Sequence, residues 1–258
     1  MINVVKIGGN VVDDPQALKA FLKEFASMPG MKILVHGGGK EATRMSSELG
    51  IETTMIEGRR VTDGDTLRIV TMVYAGLINK RIVAMLQSLE CDALGLTGAD
   101  GNLIPATRRP ANPIDYGFVG DIDPTNVNTE LLNTLLHSDI VPTVCAICHD
   151  TEGNLLNCNA DSVAAAVALG ASRIAPTRLT YCFELPGVMA DIDDPGSVIP
   201  LVTPDTFEDL KARGIVAKGM IPKIHNALEC AREGVAEVRI CASTALCSDT
   251  GTIIRTRI

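Results

Sequence analysis

Short, continuous apolar runs alternate along this chain with longer stretches in which apolar residues recur every three or four positions. Runs of the first kind at 2–7, 31–36, 93–97, 140–148, 179–183 and 238–242 have the length and continuity of buried parallel strands. The periodic stretches at 16–28, 40–49, 64–90, 126–137, 203–213 and 219–233 predict helices. A further alanine-rich helix opens at 157–161 and runs to 169. The punctuation agrees. Asp14 precedes Pro15 as a cap precedes a first helical proline, Thr203 precedes Pro204 in the same way, and Gly50 and Gly234 stand where helices end. Residues 102–123 read as short hairpin-like strands, and 251–258 as a closing strand. The alternation predicts an α/β protein with a mostly parallel sheet covered by helices on both faces.

One strand breaks its own pattern. In Val4-Val5-Lys6-Ile7-Gly8-Gly9 a lysine interrupts the apolar run, and two glycines follow at once. The turn lies at the carboxyl end of the strand, the edge of an open α/β sheet where ligands bind. A buried ammonium group is costly unless it meets an anion or reaches solvent. Either Lys6 meets a phosphate, with the glycines bringing backbone N–H groups close to it, or it is a snorkelling lysine beside an ordinary turn.

Composition narrows the setting. The 258 residues are 46% hydrophobic but only 3% aromatic, without tryptophan, so the core is aliphatic. The formal charge of −8 argues against nucleic acid and anionic membranes as partners, so any phosphate site must use a few local cations. The chain lacks a charged leader followed by an apolar segment, and no uninterrupted apolar run reaches membrane-spanning length. Eight cysteines without a secretion signal suggest reduced thiols in the cytosol. Cys145-Ala146-Ile147-Cys148-His149 matches a haem-attachment pattern. It sits in a strand, however, and no second ligand pair at finger-like spacing accompanies it, so no resident metal is expected.

Three further stretches carry candidate chemistry. His36-Gly37-Gly38-Gly39 joins a strand to a helix and places unsatisfied amide donors at a helix N-terminus, which suits an anion. His36 itself reads as structural rather than catalytic. Arg59-Arg60 precedes the cap of a long helix; either guanidinium could hold a carboxylate with two parallel hydrogen bonds, or both are solvated. Asn159 is a good cap, which puts Asp161 in the first turn of a helix, where plain dipole effects also favour it. Lys223 edges the buried face marked by Met220, Ile224 and Ala227, and a charge there needs a partner.

The set Lys6-Ile7-Gly8-Gly9, His36-Gly37-Gly38-Gly39, Gly58-Arg59-Arg60-Val61-Thr62, Asn157-Cys158-Asn159-Ala160-Asp161 and Gly219-Met220-Ile221-Pro222-Lys223 resembles the amino-acid kinase family, in order and over essentially the whole chain. Within it, the Arg-Val-Thr turn combined with Asn-x-Asn-Ala-Asp resembles the branch that acts on N-acylated glutamate. The resemblance implies an open three-layer αβα sandwich. It also implies transfer of the ATP γ-phosphoryl group to the side-chain carboxylate of an N-acylglutamate in arginine biosynthesis, with Mg²⁺ bound mainly through the nucleotide. It makes Lys6 and Lys223 the catalytic lysines and Asp161 the aspartate that orients them. Gly38 and Gly39 become backbone donors to substrate, and Arg60 and Asn157 clamp the α-carboxylate. Gly8, Gly9, Glu184, Gly187, Gly219 and Met220 fall on the phosphate and nucleotide side.

The pattern is not matched everywhere. Relatives carry Thr/Ser-Asp-Val in the nucleotide half, where this chain has Phe183-Glu184-Leu185. Another acid or carbamate kinase of the same fold, or a ligand-sensing member without turnover, therefore stays open. The resemblance also implies an acyl-glutamate lobe at 1–172 and a nucleotide lobe at 173–258, sharing one sheet with a seam near 171–178. The long helix at 64–90 is apolar over more than one stripe, so either the loops at 105–120 cover the surplus or, as the resemblance implies, a homodimer interface does. Arginine-inhibited hexameric members of the resembled family are joined by a helix before the first strand, which this sequence does not show, and the resemblance therefore favours a homodimer without arginine feedback.

Overall fold

The computed structural model describes residues 1–194, 196–216 and 220–256. Eight strands form one sheet: β1 (Ile2–Ile7), β2 (Lys32–His36), β3 (Ala93–Leu96), β4 (Val141–Cys145), β5 (Thr177–Phe183), β6 (Leu201–Val202), β7 (Glu237–Ala242) and β8 (Thr252–Ile254). Their order is β6-β8-β7-β5-β1-β2-β4-β3, parallel throughout except between β7 and β8. The central strands are buried on both faces, with Val4, Val5, Ile33, Leu34, Val35, Leu179 and Ile240 fully enclosed. A parallel sheet needs that double cover.

The helices are α1 (Gly9–Asp13), α2 (Pro15–Ser27), α3 (Gly39–Glu48), α4 (Gly64–Gln87), α5 (Thr129–His137), α6 (Ala160–Ser172), α7 (Pro204–Ala212) and α8 (Ile221–Arg232). Right-handed crossovers decide their layers. The chain moves from β1 through β2 toward β3, so α1–α4 lie together on one face. It then runs back from β3 through β4, β5 and β7, which puts α5–α8 on the other. The direction reverses between β1 and β5, adjacent strands whose connections leave to opposite faces. In an open α/β sheet the crevice at that reversal, beyond the strands' carboxyl ends, is the ligand site.

The expected elements stand with local differences. Asp14 caps α2 by accepting from the Gln16 and Ala17 amides at 2.8 and 3.1 Å, ahead of Pro15 as expected. The short helix α1 was not foreseen, since five residues show no period. The apolar run expected as one strand over 140–148 breaks at Ala146. Ile147–His149 leaves the sheet to pair antiparallel with Leu155–Asn157. Both halves are apolar, so the pattern cannot mark the break. The helix expected from 126 begins at Thr129, capped by Asn128, because Pro124–Asn126 forms a separate 3-10 turn. The closing strand is shorter than expected, and its last two residues, 257 and 258, lie outside the described residues.

Helix α4 is long and apolar enough to cross a membrane by length and composition alone. Its packing accounts for much of that hydropathy: Ile69, Val70, Val73, Ile78, Ile82 and Leu86 are buried in the core. Between Met72 and Ile78 it widens to a π-helix, a local insertion that shifts the face presented by the following residues. Met72 and Leu77 remain exposed at 56% and 45%.

Candidate active site

Lys6 is the last but one residue of β1, and its backbone pairs with Tyr181 of β5 at the reversal. Its stem is buried, and its Nζ stands 2.7 Å from Asp161 Oδ1. Asp161 is placed by the start of α6, where the Asn159 side chain accepts from the Asp161 and Ser162 amides and sets the first turn. Lys223 reaches the same spot from α8. Its Nζ lies 3.7 Å from the centroid of the Phe183 ring, which Lys6 Nζ approaches at 5.2 Å. Burial pushes the Lys223 pKa below the ordinary lysine value. Asp161 opposes that shift, Lys6 adds to it, and Glu184 opposes it more weakly. Lys6 pairs with Asp161 and Lys223 lies near both, a concentration of positive charge in a protein whose net charge is negative.

The Gly8 amide donates to the Cys182 carbonyl at 3.0 Å, extending the β1–β5 register. Its N–H is therefore used by the sheet, and among the pair it is Gly9, the first residue of α1, whose amide needs an outside acceptor. Glu184 is exposed just beyond β5, with Oε1 3.9 Å from where a Gly8 Cβ would stand. Gly187 is packed under Thr252 and Val198, whose atoms lie 2.7 and 2.9 Å from the position of a Cβ. That closeness accounts for this glycine without a ligand. Met220 stands at the N-cap of α8, and Gly219 lies outside the described residues.

A second cavity of about 220 Å³ opens between the β2–α3 turn, the hairpin ending in Arg60, and Asn157. A Cβ at Gly38 would collide with Ile78 Cδ1 and lie 2.9 Å from Tyr74, so a larger residue here would force those side chains to shift. Gly39 starts α3 at the cavity wall. Arg60 is buried, and it donates to the Gly39 carbonyl at 2.8 Å, Thr43 Oγ1 at 2.7 Å and Thr53 Oγ1 at 3.2 Å. Every one of those acceptors is neutral, and among the described residues no carboxylate pairs with it. Across the cavity the Asn157 amide donates to Thr62 Oγ1 at 3.0 Å, and Thr62 Oγ1 donates to the Arg60 carbonyl at 3.1 Å. Arg59 is exposed at the rim.

His36 lies behind this cavity and is structural. Its Nδ1 faces the Gly37 carbonyl at 2.8 Å, and its Nε2 faces the Asn79 amide at 3.0 Å. That pairing assigns the neutral Nδ1–H tautomer, and burial brings its pKa down to about 4. Among the described residues no three histidine, cysteine or carboxylate side chains converge. Sequence reasoning brought together Lys6, Asp161, Lys223, Gly38, Gly39, Arg60 and Asn157. It missed Thr43, Thr53 and Tyr74, whose ordinary helical or loop spacing carries no signal, and it named Phe183 without foreseeing where the ring would lie.

The model of the amino acid kinase family matches residues 1–242. The chain belongs to that family. An acetylglutamate kinase of Cytophaga hutchinsonii is 52% identical over 244 residues, covering 94% of this chain and 92% of that one. An acetylglutamate kinase of Bacteroides thetaiotaomicron is 46% identical over 254 residues, or 98% of each chain. Among solved structures, a Giardia carbamate kinase superposes with a TM-score of 0.70 at 12% identity, covering 99% of both chains. At that identity the likeness concerns the fold, an amino acid kinase sandwich with one mostly parallel sheet between helical layers.

Proposed function

We propose that this chain transfers the γ-phosphoryl group of ATP to the side-chain carboxylate of N-acetylglutamate in arginine biosynthesis. Near full-length identity to acetylglutamate kinases supports the substrate. The observation that carries the chemistry is the buried Arg60, cationic and, among the described residues, without a carboxylate partner, in a cavity beside the Lys6–Asp161–Lys223 cluster.

The roles follow from charge and geometry. Arg60 and the Asn157 amide hold the α-carboxylate, and the Gly38–Gly39 turn offers backbone N–H groups to the substrate. A side-chain carboxylate oxygen then attacks the γ-phosphorus as the bond to the β–γ bridging oxygen breaks; ADP leaves with that oxygen, and an acyl phosphate remains. Such a transfer needs alignment and dispersed positive charge more than covalent help. Lys6 and Lys223 supply that charge, Asp161 keeps them apart and aimed, and the Gly9 amide adds a donor. Residues beyond β5, including Glu184 and Met220, face the nucleotide. Mg²⁺ would enter on the nucleotide phosphates, neutralising them.

We assign acyl-glutamate binding to residues 1–172 and the nucleotide to 173–258, across one continuous sheet. All eight cysteines are free, which fits a reducing cytosol. Purified protein with ATP and N-acetylglutamate should release ADP and form an acyl phosphate that hydroxylamine traps as a hydroxamate. A panel of other N-acylated glutamates, aspartate and carbamate should react more slowly. ADP release that is indifferent to N-acetylglutamate would overturn the assignment.

A further inference from the structure

Phe183 stands where the resembled pattern carries a small hydroxyl residue, and its ring lies among charges. Lys223 Nζ is 3.7 Å from the ring centroid and Lys6 Nζ is 5.2 Å from it. The ring is itself held: it stacks on Tyr181 with centroids 6.1 Å apart and planes 6° from parallel, and its Cδ1 lies 3.8 Å from the position of a Gly8 Cβ. Lys6 is paired with Asp161 at 2.7 Å. One carboxylate offsets one ammonium, and Lys223 is half-buried beside the same pair. The face of an aromatic ring carries the negative part of its quadrupole and attracts a cation, the more so where water is scarce.

We propose that Phe183 is a positioning residue whose π face holds the Lys223 ammonium, and more weakly that of Lys6, where the transferring phosphoryl group must meet it. The inference rests on the kinase reading for its consequence in turnover, but the contact itself does not. The charged groups facing Lys223 are Asp161 from α6, Lys6 from β1 and Glu184 beyond β5. Asp161 and Glu184 favour the ammonium; burial and Lys6 disfavour it. The ring face joins the two carboxylates. Weakening it should let Lys223 lose its proton at lower pH and let the side chain wander.

Site-specific replacement of Phe183 by a trifluorinated phenylalanine keeps the shape and weakens the π face. Phe183→Leu removes the face, and Phe183→Tyr keeps it. The Lys223 Cε resonance, assigned with Lys223→Arg in the full-length protein, reports its titration. The pH profile of kcat with ATP and N-acetylglutamate reports the consequence. We expect Lys223 to titrate at lower pH in the fluorinated and leucine proteins. Their kcat at mildly alkaline pH should fall roughly tenfold, equivalent to about 1.4 kcal/mol, with KM for N-acetylglutamate unchanged. Phe183→Tyr should restore both. Should Phe183→Leu fail to fold by circular dichroism, the fluorinated protein decides alone. An unmoved Lys223 titration in that protein, or a tyrosine variant that behaves like leucine, overturns the proposal. The titration needs no turnover, so a shift seen in a protein that releases no ADP would uphold the contact and sink the kinase reading instead.

Discussion

Lys6 and Lys223 approach one carboxylate from different elements, and each contributes charge that the other cannot replace from its own side. Lys6→Ala or Lys223→Ala should therefore lower turnover by roughly 10²–10³-fold, the usual cost of one preorganised electrostatic donor, with little change in acyl-glutamate affinity. Steady-state kinetics checks this, and near-normal kcat in either variant would remove that lysine from the chemistry. Arg60 poses a different test. Its two nitrogens are fixed by Gly39, Thr43 and Thr53, so the guanidinium plane is set before any ligand arrives. Arg60→Lys keeps the charge but loses the fork, and KM for N-acetylglutamate should rise far more than KM for ATP. Equal effects would return Arg60 to a structural role. These residues were legible because charge is conspicuous in apolar surroundings: Lys6 interrupts a strand and Lys223 edges a buried helix face. Thr43 and Thr53, which accept from the Arg60 guanidinium, and Thr62, which accepts from Asn157, were not marked for those contacts, since a threonine in a loop or helix reads the same whether or not its hydroxyl is used.

At the scale of elements, a histidine ties β2 to α4. The His36 ring is fully buried, and Asn79, which donates to it, faces the Thr143 carbonyl of β4 at 2.9 Å as well. In the unfolded chain a histidine accepts a proton near pH 6.5, whereas in the fold this one resists until about pH 4. Between those values the unfolded state binds more protons, so stability is intact above pH 6.5 and is lost as pH falls toward 4. The loss attributable to His36 is about 3 kcal/mol when the whole difference is realised. Urea melts at the two ends of that window should show it, and His36→Gln should flatten the slope whatever its overall stability. The sequence identified the strand and the glycine turn around His36, because both obey local rules. It could not show the π turn of α4 or the break at Ala146. Those depend on which partner strand or helix lies opposite, and a run of apolar residues looks alike on either side of such a break.

At the scale of the whole molecule, an apolar face is left uncovered by the described residues. Beside α4 a groove of about 760 Å³ is lined by Ile51, Leu67, Met72, Phe118 and Leu155. The loop carrying Phe118 borders it without covering Met72 or Leu77. An exposed apolar face of this kind marks an association surface, and two copies related by a twofold axis would bury it symmetrically. We expect a dimer by light scattering at micromolar concentration. Met72→Glu should shift it toward monomer, and a wild-type monomer would exclude the interface. The expectation of a dimer rests on an excess in the sequence: α4 has more apolar positions than one sheet face needs.

The same helix has a second consequence. Tyr74 and Ile78 press against the Gly38 turn, while Met72 and Leu77, one or two residues away on the same rigid rod, look outward. Anything that seats against the outer side would also bear on the wall of the Arg60 cavity, which Tyr74 lines. Coupling between two equilibria has no direction: the factor by which self-association strengthens ligand binding is the factor by which ligand strengthens self-association. N-acetylglutamate should therefore lower the dimer's dissociation constant in sedimentation, and dilution to monomer should weaken N-acetylglutamate binding by the same ratio. A ratio of one would mean that the rod carries no thermodynamic message between its two sides.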